Sequence, residues 1–365
     1  MKLFIVAGEP SGDMHATELV HALKQANPDL DVYSAGGPEL ARCTTQVADL
    51  ASMAVTGFFE VLTYIRPIVR LFNHIACQIE KIDPDVVIFT DYPDFNFRMA
   101  KRVAKPGRKL VYFISPQLWA WRKGRLKLVK QLLDKMLVIF PFEEGFYREN
   151  GVEAAFVGNP LVNTIPQMRP PCDDPDRPRR VLLLPGSRSK EVKSNLPVMA
   201  EAKKVLESKV NATFDVLKHP SLDPALFDCA KEAGIRIFEG NPHEEFQKTD
   251  LAIACSGTVT FELALSGVPS VVLYRMNSIT YHVAKRLVKV DAISIPNLIL
   301  KDHVFPELIQ DAATPEGIAG EAASILNSPE RLAHIRDELT RFRTLVKPFD
   351  PDYAAKEIFS LVETT

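Results

Sequence analysis

Four stretches of this 365-residue chain join a Gly or Pro turn to side chains that could move a proton or grip an anion. The first is Gly8-Glu9-Pro10-Ser11-Gly12-Asp13, directly after the apolar run 2–7. Gly8 and Gly12 permit a tight strand-to-helix turn, and Ser11 or Asp13 can cap the helix that follows. The stretch is not Gly-x-Gly-x-x-Gly, and no Gly-Lys-Ser/Thr follows. Glu9 and Asp13 would repel a pyrophosphate, so NAD or FAD chemistry is disfavoured. Hydroxyls suit these carboxylates better, as hydrogen-bond donors to them or as acids they deprotonate. The second stretch, Asp91-Tyr92-Pro93-Asp94-Phe95-Asn96, follows the run 86–90. Asp94 suits a helix N-cap. Asp91 is left at the strand end, where a general base would meet an acceptor hydroxyl. Either carboxylate, Asp91 or Glu9, can equally serve its own turn.

The other two stretches lie in the second half. Leu184-Pro185-Gly186-Ser187-Arg188 runs from an apolar strand into a helix, and its amides and guanidinium suit a phosphate. Ser256-Gly257-Thr258 offers helix-start amides to a diphosphate. Glu262 lies four residues beyond Thr258 on the same helix face, placed to accept ribose hydroxyl protons. Ordinary capping explains one such turn, whereas two in one half favour anion binding. Asn297, in Ser294-Ile295-Pro296-Asn297-Leu298, offers a further polar contact, and Glu307 and Gln310 are expected on one helix face after Pro306.

Aromatic and basic segments suggest an acceptor with lipid character. Ser115-Pro116-Gln117-Leu118-Trp119-Ala120-Trp121-Arg122 ends a strand-like run with both tryptophans of the chain, then continues to Arg125, Lys127 and Lys130. Phe58 and Phe59 open an apolar stretch whose stripe continues through Ile68, Phe72, Ile75, Ile79 and Ile82. The cations could meet headgroups or a sugar phosphate. Core packing is the alternative for the indoles and for the stripe from Phe72 onward, and a solvated face is the alternative for the cations.

These residues need a scaffold that puts strand ends together. Strands are expected at 2–7, 31–35, 86–90, 109–114, 136–140 and 155–157, then at 180–184, 213–217, 235–238, 251–254 and 270–274. Helices are expected between most of them, including 13–25, 124–133, 191–208, 224–233, 258–265 and 279–288. Such alternation predicts parallel sheets covered by helices on both faces. The segment 166–178 holds five prolines and reads as a hinge. The expected division is a first domain at 1–167, a linker at 168–178, a second domain at 179–346 and a terminal segment at 347–365. Helices are expected at 316–327, 329–345 and 352–362, the last crossing back to the first domain or to a second subunit. Two tandem α/β domains would face a cleft.

Bulk properties fit this reading. Charged residues make up 25% and the formal net charge is -2, so no global field attracts nucleic acid. The five scattered cysteines and eight histidines show no zinc spacing; no metal and no cofactor are expected, and a reducing cytosol is the simplest compartment. No secretory signal or membrane-spanning run is read, so membrane contact would be peripheral.

Taken in order, the motifs resemble the lipid-A-disaccharide synthase family, inverting glycosyltransferases of the GT-B type. The carrying residues are Gly8 to Asp13, Gly57-Phe58-Phe59-Glu60-Val61, Asp91 to Asn96, Ser115-Pro116, and Trp119 to Arg122. They continue with Pro141-Phe142-Glu143, Phe156-Val157-Gly158-Asn159-Pro160-Leu161, Leu184 to Arg188 with Glu191, Ser256 to Thr258 with Glu262, Tyr274-Arg275-Met276 and Pro296-Asn297-Leu298. Pro10 stands where the family usually has Ala, and Asn159 replaces a usual His, so Asn159 is assigned no catalytic role. The resemblance implies metal-independent transfer of 2,3-diacylglucosamine from UDP to the 6-hydroxyl of 2,3-diacylglucosamine 1-phosphate (lipid X). It places UDP-sugar on Gly186, Ser187, Arg188, Ser256, Gly257, Thr258, Glu262, Asn297 and Gln310, and the base at Asp91, with Glu9 second. Acceptor and lipid would meet Phe58, Phe59, Trp119, Trp121, Arg122 and Arg125. It also implies a homodimer at the cytoplasmic face of the inner membrane. A UDP-sugar epimerase of the same architecture, or a nucleotide-sugar-binding protein without turnover, would share the nucleotide half.

Overall fold

A computed structural model describes residues 1–50, 61–121, 123–166, 177–275 and 292–363, with the side chains of 61–65, 120, 121 and 123 outside that description. The chain divides into two compact units, one of Met1–Pro160 with Pro348–Thr365, the other of Leu161–Lys347. The first boundary thus falls before the proline-rich segment expected as linker, most of which lies outside the described residues.

The first unit holds seven parallel strands: β1 (Lys2–Ala7), β2 (Asp31–Gly36), β3 (Thr45–Asp49), β4 (Val86–Thr90), β5 (Lys109–Phe113), β6 (Lys135–Val138) and β7 (Ala154–Phe156). Their order is β3-β2-β1-β4-β5-β6-β7, so the direction of progression reverses between β1 and β4. Both faces of the sheet are buried, which is why these strands read as unbroken apolar runs. Leu3, Ile5 and Ile88 pack with Leu19 of helix Pro10–Ala26 and with Ala354 and Ile358 of helix Pro351–Glu363. Phe4, Val87 and Phe89 face the other layer, with Ile75 and Ile79 of helix Val61–Ile82 and Met99 of helix Pro93–Val103. The terminal helix therefore returns to its own first unit.

The second unit repeats the plan with six strands: β8 (Arg179–Leu184), β9 (Ala212–Leu217), β10 (Arg236–Phe238), β11 (Leu251–Cys255), β12 (Ser270–Tyr274) and β13 (Glu307–Ile309). Their order is β10-β9-β8-β11-β12-β13, all pairs parallel, with the reversal between β8 and β11. The expected α/β class with two Rossmann-like parallel sheets is what the chain forms.

Several local expectations change. β3 was not foreseen, and Glu307 and Gln310 share no helix face: Glu307 opens β13 and Gln310 begins a 3-10 turn at a φ of 51°. The Pro10–Ala26 helix starts before Ser11, with Glu9 at its N-cap position. Asp94 is not an N-cap either. It lies inside the helix that Pro93 starts, and it pairs with Arg125. The helix expected at 279–288 and the Phe58-Phe59 stretch lie outside the described residues.

Candidate active site

In an open α/β sheet the crevice for a ligand lies at the carboxyl ends of the strands where the order reverses. In the first unit those ends are β1, leading to Gly8-Glu9, and β4, leading to Asp91-Tyr92. Asp91 and Tyr92 both adopt left-handed backbone, at φ 49° and 46°. That conformation is costly for residues other than Gly, Asn and Asp, and neighbours hold it in place. The Asp91 carbonyl accepts from Tyr112 Oη and from Asn96 Nδ2, each at 2.6 Å. Asn96 is fully buried and also donates to the Thr90 carbonyl at 3.1 Å.

The kink aims the Asp91 side chain at the strand end, where its Oδ1 accepts the Tyr92 amide at 2.9 Å. Burial raises its carboxyl above the usual aspartate value, partly offset by that amide. Tyr92 stacks on Phe95 (centroids 5.5 Å apart, 25° between planes) and covers Gly8, where a Cβ would fall 2.6 Å from Tyr92 Cγ. Burial raises the Tyr92 hydroxyl, and the nearby charges of Glu9 and Asp94 raise it further. The structure thus brings Glu9 and Asp91 to one strand-end crevice. Asp13 serves another purpose: its buried carboxylate accepts the amides of Gly37 (2.7 Å) and Glu39 (2.9 Å) and so starts helix Pro38–Cys43.

Trp119 sits on the next strand end, after β5. Its Nε1 donates to Glu143 Oε1 at 3.2 Å, and its ring meets Phe142 edge-on at 5.0 Å. Glu143 is fully buried, and burial lifts its carboxyl to about 8. Arg125 spans Asp94 and the face of Phe97 (5.7 Å to the ring centroid). Arg122 and the Trp121 side chain lie outside the described residues. On helix Val61–Ile82, Phe72 meets Phe95 edge-on at 5.4 Å, so the stripe from Phe72 onward faces the core, while Val69 remains 50% exposed.

In the second unit the β8 turn is closed on itself. Glu191 Oε2 accepts the amides of Ser187 (3.2 Å) and Arg188 (3.3 Å), a capping interaction that opens helix Ser189–Glu207. Those amides are not left for a phosphate. The Arg188 guanidinium is 82% exposed and bonds Glu191 Oε1 at 3.0 Å. Gly186, at φ 124°, allows the turn, since a Cβ there would lie 2.6 Å from Glu191 Cβ. The β11 turn differs. Ser256 donates its amide to the Leu273 carbonyl at 2.8 Å, but Gly257 and Thr258 open helix Thr258–Leu265 where no intrahelical acceptor exists. Burial pushes the Cys255 thiol to about 12, and Glu191 and Arg188 also act on it, so the two turns are neighbours.

Glu262 Oε2 pairs with His243 Nε2 at 2.9 Å, a partner that sequence reading missed because it comes from the helix after β10. Asn297 makes internal bonds: its Nδ2 donates to the Phe305 carbonyl and to Glu307 Oε1, both at 2.8 Å, and its Oδ1 accepts the Phe305 amide at 2.9 Å. Among the described residues no group of three or more His, Cys, Asp or Glu could hold a metal ion. An open groove of about 470 Å³ lies mainly at the amino ends of β8–β10, away from this chemistry, and its Arg180 and Arg236 are both bound to Asp215.

The sequence model of the family described as Lipid-A-disaccharide synthetase matches residues 3–357. The lipid-A-disaccharide synthase of Syntrophus aciditrophicus is 39% identical over 354 residues, covering 93% of this chain and 92% of that protein. That of Coxiella burnetii (strain Dugway 5J108-111) is 35% identical over 357 residues, covering 93% and 94%. Among solved structures, a putative UDP-N-acetylglucosamine 2-epimerase from Listeria monocytogenes superposes with a TM-score of 0.63 at 16% identity, covering 100% of this chain and 96% of its own. Acinetobacter baumannii MurG does so at 0.54 and 12%, covering 100% and 99%. At such identities the structures speak for the fold alone, whereas the sequence matches run nearly end to end: the chain belongs to the lipid-A-disaccharide synthase family.

Proposed function

We propose that the chain transfers 2,3-diacylglucosamine from UDP to the 6-hydroxyl of 2,3-diacylglucosamine 1-phosphate. The acceptor oxygen attacks the anomeric carbon, the bond from that carbon to the diphosphate breaks, and UDP leaves. The observation that carries this reading is Asp91, a carboxylate at the β1/β4 reversal in left-handed backbone, next to Tyr92, for which the same conformation is costly. It takes the hydroxyl proton, with Glu9 beside it. Its raised pKa favours proton capture near neutral pH.

The nucleotide belongs to the second unit. Gly257 and Thr258 offer amides and Arg188 a cation to the leaving diphosphate, and Glu262, steadied by His243, faces the ribose hydroxyls. Ser187 and Gly186 shape the turn that carries Arg188. Gln310, in the turn after β13, is read as a further nucleotide contact, and Asn297 as a support for that strand through Glu307. The reading assigns no step to a metal or cofactor.

The acceptor's chains are read as meeting Trp119, Trp121, Arg122, Arg125 and the apolar stretch that begins at Phe58-Phe59. No described helix is long and apolar enough to cross a membrane. Exposed Val69, with Arg66 and Arg70 beside it, supports peripheral contact with the cytoplasmic face of the inner membrane. A homodimer is the expected assembly, with the apolar face of Pro351–Glu363 packed on its own first unit.

The test is release of UDP by the purified protein. Release only when donor and acyl-glucosamine phosphate are both present supports the reading. Interconversion of a UDP-sugar without acceptor would replace it with an epimerase.

A further inference from the structure

Glu143 is a carboxyl group with 0% exposure that the transfer chemistry leaves unused. It opens helix Pro141–Glu149 after β6 and reaches the segment after β5. Its Oε1 accepts Trp119 Nε1 at 3.2 Å, and its Oε2 accepts the Phe140 amide at 3.1 Å. Phe142 meets the indole edge-on and stacks on Phe140 at 5.9 Å, 3° from parallel, so aromatic surface surrounds the carboxyl. The Ser115 hydroxyl, 2.6 Å from Tyr147 Oη, also acts on the Glu143 carboxyl.

Burying an ionisable group among aromatics is costly, and a lone indole N–H could be satisfied by a backbone carbonyl. What a carboxyl adds is a second oxygen. One oxygen holds the loop after β5, and the other holds the first turn of the helix after β6. The ring of Trp119 remains half-buried, with its nitrogen tied inward.

We infer that Glu143 is a positioning residue for the acceptor: it locks the Trp119 indole as a fixed wall against which the acyl-glucosamine is seated. The inference rests on the reading of Trp119 as an acceptor contact. Glu143 touches no substrate and acts through the indole.

A pH signature follows. Burial lifts the carboxyl to about 8, so it keeps its proton well above the usual glutamate range. Facing it are the amides of Phe140 and Ile139, the Trp119 nitrogen and the Ser115 hydroxyl, with Tyr147 the titratable neighbour on its own helix. Burial drives the Tyr147 hydroxyl further up, so Glu143 ionises first. Above that point a desolvated charge stands in the aromatic box, its burial costing more than those donors offset, and the wall loosens.

The experiment measures KM for acceptor and for donor, with kcat, on the full-length protein between about pH 6 and about pH 9. In the parent, acceptor KM should rise several-fold across the alkaline half while donor KM stays level. Glu143→Gln keeps the shape without the charge, and its acceptor KM should stay flat over the same range. Glu143→Ala should raise acceptor KM by about tenfold or more at unchanged donor KM, a loss confined to acceptor binding. Trp119→Phe, which removes only the N–H, should show part of that rise and covers the case in which Glu143→Ala fails to fold. The inference is overturned if Glu143→Gln keeps the parent's pH profile, or if Trp119→Phe and Glu143→Gln shift donor and acceptor KM alike. Trp119→Ala separates the underlying reading: unchanged acceptor KM there removes Trp119 from the acceptor site, whatever Glu143 does.

Discussion

The ring of Tyr92 occupies the space a side chain on Gly8 would need, with Tyr92 Cγ only 2.6 Å from the position of a Cβ there. Two strand ends, β1 and β4, therefore meet through a glycine and an aromatic ring, and Asp91 is fixed one residue away. Gly8→Ala should push Tyr92 off Phe95 and disturb the left-handed pair Asp91-Tyr92. The expected cost is about 1–3 kcal/mol of stability, with kcat falling more than donor KM rises. Thermal melting and UDP release on the same preparation check both effects. Melting and kcat like the parent's would mean that Tyr92 moves aside freely.

Asp91→Asn keeps the size of the side chain and removes the base. With the acceptor present, kcat should drop by about 10²–10⁴-fold, the usual worth of a positioned base. Because burial raises the Asp91 carboxyl, the acid limb of kcat/KM should lie above the ordinary aspartate value. Activity is then lost as pH falls through that raised value, since a protonated carboxyl accepts no proton. The limb should vanish in the variant. If Glu9→Gln abolishes the limb instead and Asp91→Asn does not, the base is Glu9.

Much of this arrangement was legible in the sequence because it is local. The helix expected at 258–265 forms at Thr258–Leu265, and the apolar runs at β1, β4 and β8 end at the turns that carry Glu9, Asp91 and Arg188. What was not legible depends on distant partners. Asp13 reads as a cap for its own helix, yet it starts another one more than twenty residues away, through the amides of Gly37 and Glu39. Glu307 and Gln310 have helix spacing, but pairing with β12 draws Glu307 into a three-residue strand, where its carboxylate gathers Ser294 and Asn297. The turn at Ser187 has the composition of a phosphate loop, and only the fold reveals that Glu191 fills it. Pro141-Phe142-Glu143 was visible as a motif, but nothing local announces that Trp119 is its partner.

Gly257 offers a test of the nucleotide site that separates binding from folding. A Cβ there would meet nothing within 4 Å, and its φ of 167° is extended backbone open to any residue. The fold gives no reason for a glycine, so the reason would be the close approach of a ligand. Gly257→Ala should leave stability within about 0.5 kcal/mol of the parent while weakening UDP binding about tenfold or more. Calorimetric titration with UDP at fixed salt reads the second effect. Unaltered affinity would move the diphosphate away from this turn.

Glu143 makes the protein's stability depend on pH in a way that surface carboxylates do not. Its folded-state pKa is about 8, raised by burial above the ordinary 4.5 of the free side chain. The folded state therefore holds a proton that the unfolded chain gives up first. The sign follows from linkage: this contribution is fully present below the unfolded value and is lost as pH rises toward the folded one. Between those limits the parent should lose on the order of a few kcal/mol from this group. Glu143→Gln has no proton to lose, so its melting temperature should fall less between about pH 5 and about pH 8. Melting curves for both proteins across that window decide it. Parallel slopes would mean that Glu143 ionises in place without strain, with water or a moving donor reaching it beneath Trp119.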